Sequence, residues 1–482
     1  MEVETLYRAV ASRDRRFEGR FVVGVTSTGI YCRPGCPAKI PLRKNVRFYR
    51  HPAAAEEAGF RACARCRPDT SVWTGTSSTV KRALQLIDAG TLGDENVERL
   101  AERLGVGDRH LRRLFASHVG TSPQKVAATR RAHFARQLID ESELPLAEIA
   151  FAAGFGSVRR FNAAMRRAFG RTPTELRARA RSRGDDAALT LTLPVRAPYA
   201  WEPLVEFLAQ RAIPGVESIA GSGTDAVYRR TTSDGGIVTV RAIAGALQAT
   251  LRVPSARGLR DIVERIRRLF DVAADPVAIG ESLSRDRALR AAVRGCPGRR
   301  VPGGWDGLEV AIRAILGQQI SVARATQLAG KLVAAWGTPL ASDGALADAA
   351  SLDGALTHVF PTARALADAG GDAIAKRVGM PRARGVAIAT LAAAVADGGL
   401  PLDGSLPLET LVERLCALPG VGMWTAQYLG MRLGEPDAFP AGDLWLRRAL
   451  AADERTLVAR SEAWRPFRAY AAMHLWQSEV FR

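Results

Sequence analysis

The spacing of apolar positions changes along this 482-residue chain. Residues 1–75 keep no sustained period and are rich in turn formers. Over 76–180, apolar positions recur at three- and four-residue spacing, the period of an amphipathic helix, and arginines occupy the remaining faces. A polar, charged stretch, Ala178–Asp186, then breaks the pattern as a linker would. Leu189–Val195 alternates like a strand, and mixed strand and helix patterns follow to about Phe270. From 271 to 482 the period is helical again, interrupted by Gly and Pro. These shifts predict a mainly α, multidomain chain with regions 1–75, 76–180, 187–270 and 271–482. The first is a small α+β domain and the second is α-helical. The third is an α+β subdomain, and the last is all-α.

Within 76–180 one outline occurs twice. Leu100–Pro123 and Ile149–Pro173 each run a short apolar helix to a glycine (Gly105, Gly154), turn, and enter a basic helix closing on Gly-x-x-Pro. Glycine accepts the backbone of a tight turn, and the second helix presents arginines, as in a helix–turn–helix. Two helical hairpins with solvated basic faces are the plain alternative; repetition, turn position and arginine content favour DNA binding. The segment resembles the DNA-binding domain of AraC-family regulators, most closely at Gly154-Phe155, Phe161, Phe169-Gly170 and Thr172-Pro173. Members usually carry Ser before each recognition helix. Here Gly107 and Gly156 stand in that place, with Asp108 and Ser157 as substitute N-caps. The resemblance turns Arg109, His110, Arg112 and Arg113, then Val158, Arg159 and Asn162, toward the groove.

Charge supports that reading. A formal net charge of +19 favours polyanions, nucleic acid first, with membrane surface or ribosome as the other readings of charge alone. Met1–Val10 has no apolar core of a signal peptide, and no run of ~18 apolar residues predicts a membrane span. Six cysteines are too few for a disulfide scaffold, and four of them cluster, as in a metal site in a reducing compartment. A cytoplasmic, nucleoid-associated protein with no membrane partner is expected.

Cys32-x3-Cys36 and Cys63-x2-Cys66, separated by 26 residues, form two knuckles of the kind that close an all-cysteine zinc site. A purely structural Zn2+ is the plain reading. The flanking residues Thr28–Pro37, Arg43–Val46 and Gly59–Cys66 resemble the N-terminal domain of Ada-type adaptive-response proteins. That resemblance implies that Cys32 takes a methyl group from a DNA methylphosphotriester, while Cys36, Cys63 and Cys66 complete the single Zn2+ site. Zinc would keep the nucleophile deprotonated at neutral pH. Methylation would change the formal site charge from about −2 to about −1, so affinity for DNA should rise. Arg33, Arg43, Lys44, Arg47 and Arg61 are the candidate phosphate contacts. A methylation-dependent switch at promoter DNA follows, with RNA polymerase as the partner of an activator. The Pro-Cys-His-Arg motif of alkylguanine transferases does not occur.

In the last region, Leu418-Pro419-Gly420-Val421-Gly422 separates the helical stretches Leu411–Ala417 and Trp424–Leu433. Leu418, Gly420 and Gly422 make a hairpin whose backbone N–H groups can approach a phosphate. Asp443 follows a proline–glycine turn and reads either as a helix N-cap or as a catalytic acid. Hairpin and acid together resemble the helix–hairpin–helix glycosylase superfamily, where the corresponding Asp is catalytic. Ala197–Trp201, Phe207–Ala209, Ala314–Ser321, Trp464–Pro466 and Ala472–Trp476 narrow the resemblance to AlkA-type 3-methyladenine DNA glycosylase II. The resemblance implies base flipping, with Gln319 inserted into the duplex. Trp424, Tyr428, Trp476 and Phe207 would form an aromatic pocket for cationic purines such as 3-methyladenine and 7-methylguanine, each good cation–π contact contributing roughly 0.5–2 kcal/mol. Asp443 would stabilise the oxocarbenium-like sugar or orient water. Trp424 stands where bifunctional members carry a Schiff-base lysine, so base release without strand cleavage is expected. No cysteine follows Cys416, so no iron–sulfur cluster is expected, and Cys296 and Cys416 read as packing residues. The rival reading is a regulator whose glycosylase-like part is an inactive DNA-docking module.

Overall fold

The computed structural model describes the chain apart from residues 1, 64, 67, 69–76, 93–95, 180–187, 341–354 and 481–482. Most of the expected linker at Ala178–Asp186 lies outside the described residues. Two compact units emerge: Met1–Asp185 with Ser255–Glu264, and Asp186–Pro254 with Arg265–Arg482. Among the described residues, no helix is long and apolar enough to cross a membrane.

The first unit opens with a four-stranded sheet of β1 (Val22–Val25), β2 (Ile30–Cys32), β3 (Val46–Tyr49) and β4 (Arg61–Ala62), ordered β3-β1-β2-β4. Alternation along β1 feeds two small cores, because successive side chains leave opposite faces. Val23 packs with Leu6, Val10 and Phe21, and Val22 with Tyr31, Ala55 and Phe60. Gly24, the next residue, leaves room for Phe60, whose ring would meet an added Cβ at 2.9 Å.

Both expected helix–turn–helix pairs are present: Val97–Arg103 with Asp108–His118, and Leu146–Ala152 with Val158–Phe169. Their turns pass through Gly105 (φ 68°) and Gly154 (φ 86°), left-handed backbone that favours glycine. Each second helix buries only a narrow seam, Leu111 and Phe115 in one, Phe161 and Met165 in the other. Ser157 caps its helix by accepting from the Arg160 N–H at 3.3 Å. Asp108 does not cap. Gly107 holds the N-cap position and Asp108 opens the first turn, where its charge suits the helix dipole. A 19-residue helix, Pro123–Glu141, joins the two pairs, started by a Ser122 cap and proline at its first turn.

The second unit begins with a five-stranded antiparallel sheet, β5 (Leu189–Pro194), β6 (Glu217–Ala220), β7 (Val227–Thr231), β8 (Ile237–Ile243) and β9 (Ala246–Arg252). Its order is β5-β9-β8-β7-β6. Two helical cores follow. Helix Gly307–Leu316 runs through the first, with Leu308, Ile312 and Ile315 packed against Leu328, Ile388 and Leu429. The second gathers Leu283, Leu289, Leu446, Leu457 and Trp464 around helix Arg468–Val480. Tyr428 packs on the first core, while Phe207 and Trp476 pack on the second. The rings expected to form one pocket therefore arrive from two cores.

Candidate metal centre and candidate active site

Strand pairing assembles the cysteines. β4 runs parallel to β2, with Tyr31 opposite Ala62, so Cys32 and Cys63 leave the sheet side by side. The Cys63 N–H donates to the Tyr31 carbonyl at 3.0 Å, and the Cys36 N–H closes the first knuckle on the Arg33 carbonyl at 3.1 Å. All four Sγ atoms lie within 4.8 Å of one another. Zn–S bonds of about 2.3 Å in a tetrahedron place sulfurs about 3.8 Å apart, so the donor set fits zinc. Sulfurs this close cannot all be thiolates without a cation. The hydrogen bond to Cys66, together with burial, pushes the Cys32 thiol up, and burial pushes Cys36 up to about 11. Cys66, accepting from Cys32, falls to about 6. Cys32 is the least covered of the four; the other three are buried.

Of the expected phosphate contacts, Arg33 follows Cys32 directly and pairs with Glu18 at 3.1 Å. Arg43 lies over the Tyr7 ring and 3.6 Å from Glu4. Lys44, Arg47 and Arg61 are exposed. On the first recognition helix Arg109, His110, Arg112 and Arg113 are all exposed. Arg112 is shared between Glu98 and Asp108, and Arg113 lies 2.9 Å from His110 Nδ1. On the second, Val158 and Arg159 are exposed and Asn162 is half-buried. Cys416 is a correction: it is exposed at the last position of helix Leu408–Cys416, just before the hairpin, and packs no core.

Asp443 is both a cap and the centre of a site. Its Oδ1 accepts from the N–H groups of Trp445 (3.0 Å) and Leu446 (3.1 Å), the free donors of helix Leu444–Ala449. The same oxygen accepts from Trp476 Nε1, and Oδ2 accepts from Trp424 Nε1, both at 2.9 Å. Four N–H groups from three helices thus hold one half-buried carboxylate. Trp424 and Tyr428, one helical turn apart, stack at 5.3 Å and 4°, and Trp476 tilts against Tyr428 at 6.2 Å. Asp443 and these rings line a cavity of about 340 Å³ that also meets Phe207, Arg211 and Trp445.

The cavity is less purely aromatic than the sequence suggests. Arg211 lies 3.7 Å from the centre of the Phe207 ring, covering that face. Arg432 donates to Tyr428 Oη at 2.6 Å and to the carbonyls of Pro302 and Gly303. Burial would raise the Tyr428 phenol, but the charges of Arg432, Arg211 and Arg313 bring it below its ordinary value. Trp445, 43% exposed and two residues past Asp443, lines the cavity as well. Sequence reading missed it, although an aromatic just after the acid was a signal.

The hairpin Leu418–Gly422 has Gly420 at φ 76°, where only glycine is comfortable. Gly422 needs neither its backbone freedom nor room for a neighbour, since an added Cβ would meet nothing within 4 Å. Gln319 is exposed and holds φ 60°, a strained conformation for a non-glycine residue. The neighbouring Gln318 ties this turn to the hairpin, donating to the Gly420 carbonyl at 2.8 Å.

Comparison with known proteins matches this division of labour. Residues 5–69 match the metal binding domain of Ada, and 100–179 match a helix-turn-helix domain. Residues 190–306 match the AlkA N-terminal domain, and 312–456 match the HhH-GPD superfamily of base excision DNA repair proteins. The probable bifunctional transcriptional activator/DNA repair enzyme AlkA of Mycobacterium tuberculosis is 44% identical over 98% of this chain and 96% of its own length. The chain belongs to that AlkA family. DNA-3-methyladenine glycosylase 2 of Escherichia coli is 33% identical over 60% of this chain and 97% of its own. The fold of a 3-methyladenine DNA-glycosylase from Archaeoglobus fulgidus covers 60% of this chain and 98% of its own at a TM-score of 0.51 and 21% identity. Within the AlkA family arrangement, a zinc-type domain and paired DNA-reading helices precede a helix–hairpin–helix glycosylase fold.

Proposed function

We propose that this chain senses methylation of the DNA backbone through Cys32 and removes alkylated bases through a site built on Asp443. The observation that carries the second half is the grip on Asp443: two pocket indoles donate to its two oxygens at 2.9 Å. A helix cap needs neither contact. An inactive docking module has no use for a carboxylate fixed at the wall of a cavity.

In the sensing reaction the Cys32 sulfur attacks the methyl carbon of a methylphosphotriester. An S–C bond forms, the C–O bond breaks, and its electron pair leaves on the phosphate oxygen as an ordinary diester. One Zn2+ held by Cys32, Cys36, Cys63 and Cys66 would supply a thiolate at neutral pH. The thioether product has no return route, so each molecule reacts once. The drop in negative charge beside Arg33 and Arg61 favours DNA, and the paired recognition helices turn it into promoter binding with RNA polymerase as partner. The molecule then works at the nucleoid.

In excision, the flipped nucleotide enters the cavity while Gln319 fills the gap and the hairpin holds the backbone through Gly420 and Gly422. The glycosidic bond breaks with its electrons leaving on the base, Asp443 stabilises the developing positive charge on the sugar, and water completes hydrolysis. Arginine charge beside Tyr428 opposes a cationic base, so attraction to 3-methyladenine or 7-methylguanine rests on Trp424 and Trp476. With an indole at 424 there is no amine for a Schiff base, and the strand stays intact. No iron–sulfur cluster is required. The test is release of 7-methylguanine from methylated duplex: turnover by the unmodified chain and none by Asp443→Asn supports the reading, and equal release by both overturns it.

A further inference from the structure

One buried carboxylate joins the strand that carries Cys32 to the second helix–turn–helix. Glu56 lies in the short helix Pro52–Glu57 of the zinc-type domain. Its Oε1 accepts from Tyr31 Oη at 2.8 Å, and Tyr31, fully buried, is the residue before Cys32. The same oxygen lies 2.5 Å from Nε2 of His133, while Oε2 accepts from Thr129 Oγ1 at 2.9 Å. A carboxylate only accepts, so Nε2 of His133 carries the bonding proton. His133 and Thr129 belong to helix Pro123–Glu141, which joins the two helix–turn–helix pairs. The His133 ring meets Phe169 edge-on at 5.4 Å, and Phe169 ends the second recognition helix. The side chains of Glu56 and His133 are 15% and 11% exposed, so water competes little for these bonds.

Neighbouring contacts close the same seam. Glu57 accepts from Thr121 Oγ1 at 2.5 Å, and Arg50 donates to the Ser117 carbonyl at 2.6 Å. Burial raises the Glu56 carboxyl, but His133, Tyr31 and Thr129 outweigh it and hold it below its usual range. A buried carboxylate with three partners from two modules fixes their relative placement. Two DNA-binding elements held rigidly engage as one, and an improvement at either is passed to the joint complex. If the seam loosens, each element binds with its own weaker affinity.

We propose that Glu56 is a positioning residue for the methylation response: it locks the strand bearing Cys32 to the second helix–turn–helix, so that methylation of Cys32 strengthens DNA binding through both recognition helices. This rests on the sensor reading given above. The role needs no contact between Glu56 and DNA or the transferred methyl group.

The test uses the full, zinc-loaded chain and a duplex selected from a random pool by the methylated protein. Binding is measured before and after methylation of Cys32 by a methylphosphotriester duplex, with footprinting of the bound site. Glu56→Gln is expected to keep zinc and accept one methyl, yet to lose at least about tenfold of the methylation-dependent gain in affinity, together with protection over the stretch read by the second recognition helix. Tyr31→Phe and Thr129→Val, which keep the packing and remove the hydroxyl that donates to Glu56, should lose part of the gain in the same direction. If Glu56→Gln fails to fold, these two decide. An undiminished gain and footprint in the variants overturns the proposal while leaving the sensor reading intact. No gain in the unmodified protein overturns both.

Discussion

Replacing Asp443 by Asn changes one atom type at the centre of a four-donor site, and the cost can be apportioned. Oδ1 receives Trp445 N, Leu446 N and Trp476 Nε1, and Oδ2 receives only Trp424 Nε1. The amide oxygen of Asn will take the three-donor position, leaving its NH2 facing the Trp424 N–H. One hydrogen bond is lost, and the Trp424 N–H and the Asn NH2 face each other without an acceptor, about 1–3 kcal/mol of stability. The helix cap survives, because Asn caps as well as Asp. Loss of the negative charge beside the sugar should remove at least about 3–4 kcal/mol of transition-state stabilisation, a fall of 10²- to 10³-fold or more in rate. The assay is single-turnover release of 7-methylguanine, run beside affinity for a duplex carrying an abasic-site analogue and thermal melting. Release should collapse while affinity stays within a few-fold and the fold persists. Release within about threefold of the unmodified protein, with melting lowered as expected, would refute a catalytic Asp443.

Borohydride added during base release should trap no covalent protein–DNA adduct, as expected without an amine at Trp424; a trapped adduct would show lyase chemistry. Arg230 is buried, and its Nη2 donates to both Glu309 oxygens, at 2.8 and 3.1 Å. Arg230→Met, by leaving that carboxylate and Glu217 buried without their cation, should cost about 3–5 kcal/mol in denaturant unfolding, and adding Glu309→Gln should restore part of it. Burial, aided by Arg299, holds the His474 imidazole down to about 3. As pH falls the unfolded chain takes this proton first, so stability is complete above about pH 6.5 and declines from there toward pH 3, by at most about 5 kcal/mol. Unfolding measured across that window should show a shallower slope in His474→Gln; an identical slope would assign the acid loss elsewhere.

Local spacing carried most of this architecture. Two knuckles separated by 26 residues announce the cysteine cluster, and a glycine repeated at the same place in two outlines announces paired turns. Gly420 and Asp443 are legible because each answers a backbone demand within a few residues. What spacing does not carry is contact between distant segments. Glu56 reads as one of two acids ending an alanine-rich helix, and its partner His133 is 77 residues away. No spacing marks the arginines around Tyr428, yet Arg211, Arg313 and Arg432 converge from three segments on one phenol. Cys416 was misread because a helical apolar pattern does not say which turn faces outward. Asp108 was displaced as a cap by a single-residue shift of the helix start, the finest detail such patterns resolve.

The central claim is that one chain both records backbone methylation and excises alkylated bases. A duplex carrying one methylphosphotriester and one 7-methylguanine tests both in a single tube, with peptide mass spectrometry on the protein and chromatography on the DNA. The account predicts one methyl group per chain, on Cys32, with free 7-methylguanine released in excess of protein from an uncut strand. A methyl group on any other residue, or no free base, would contradict it.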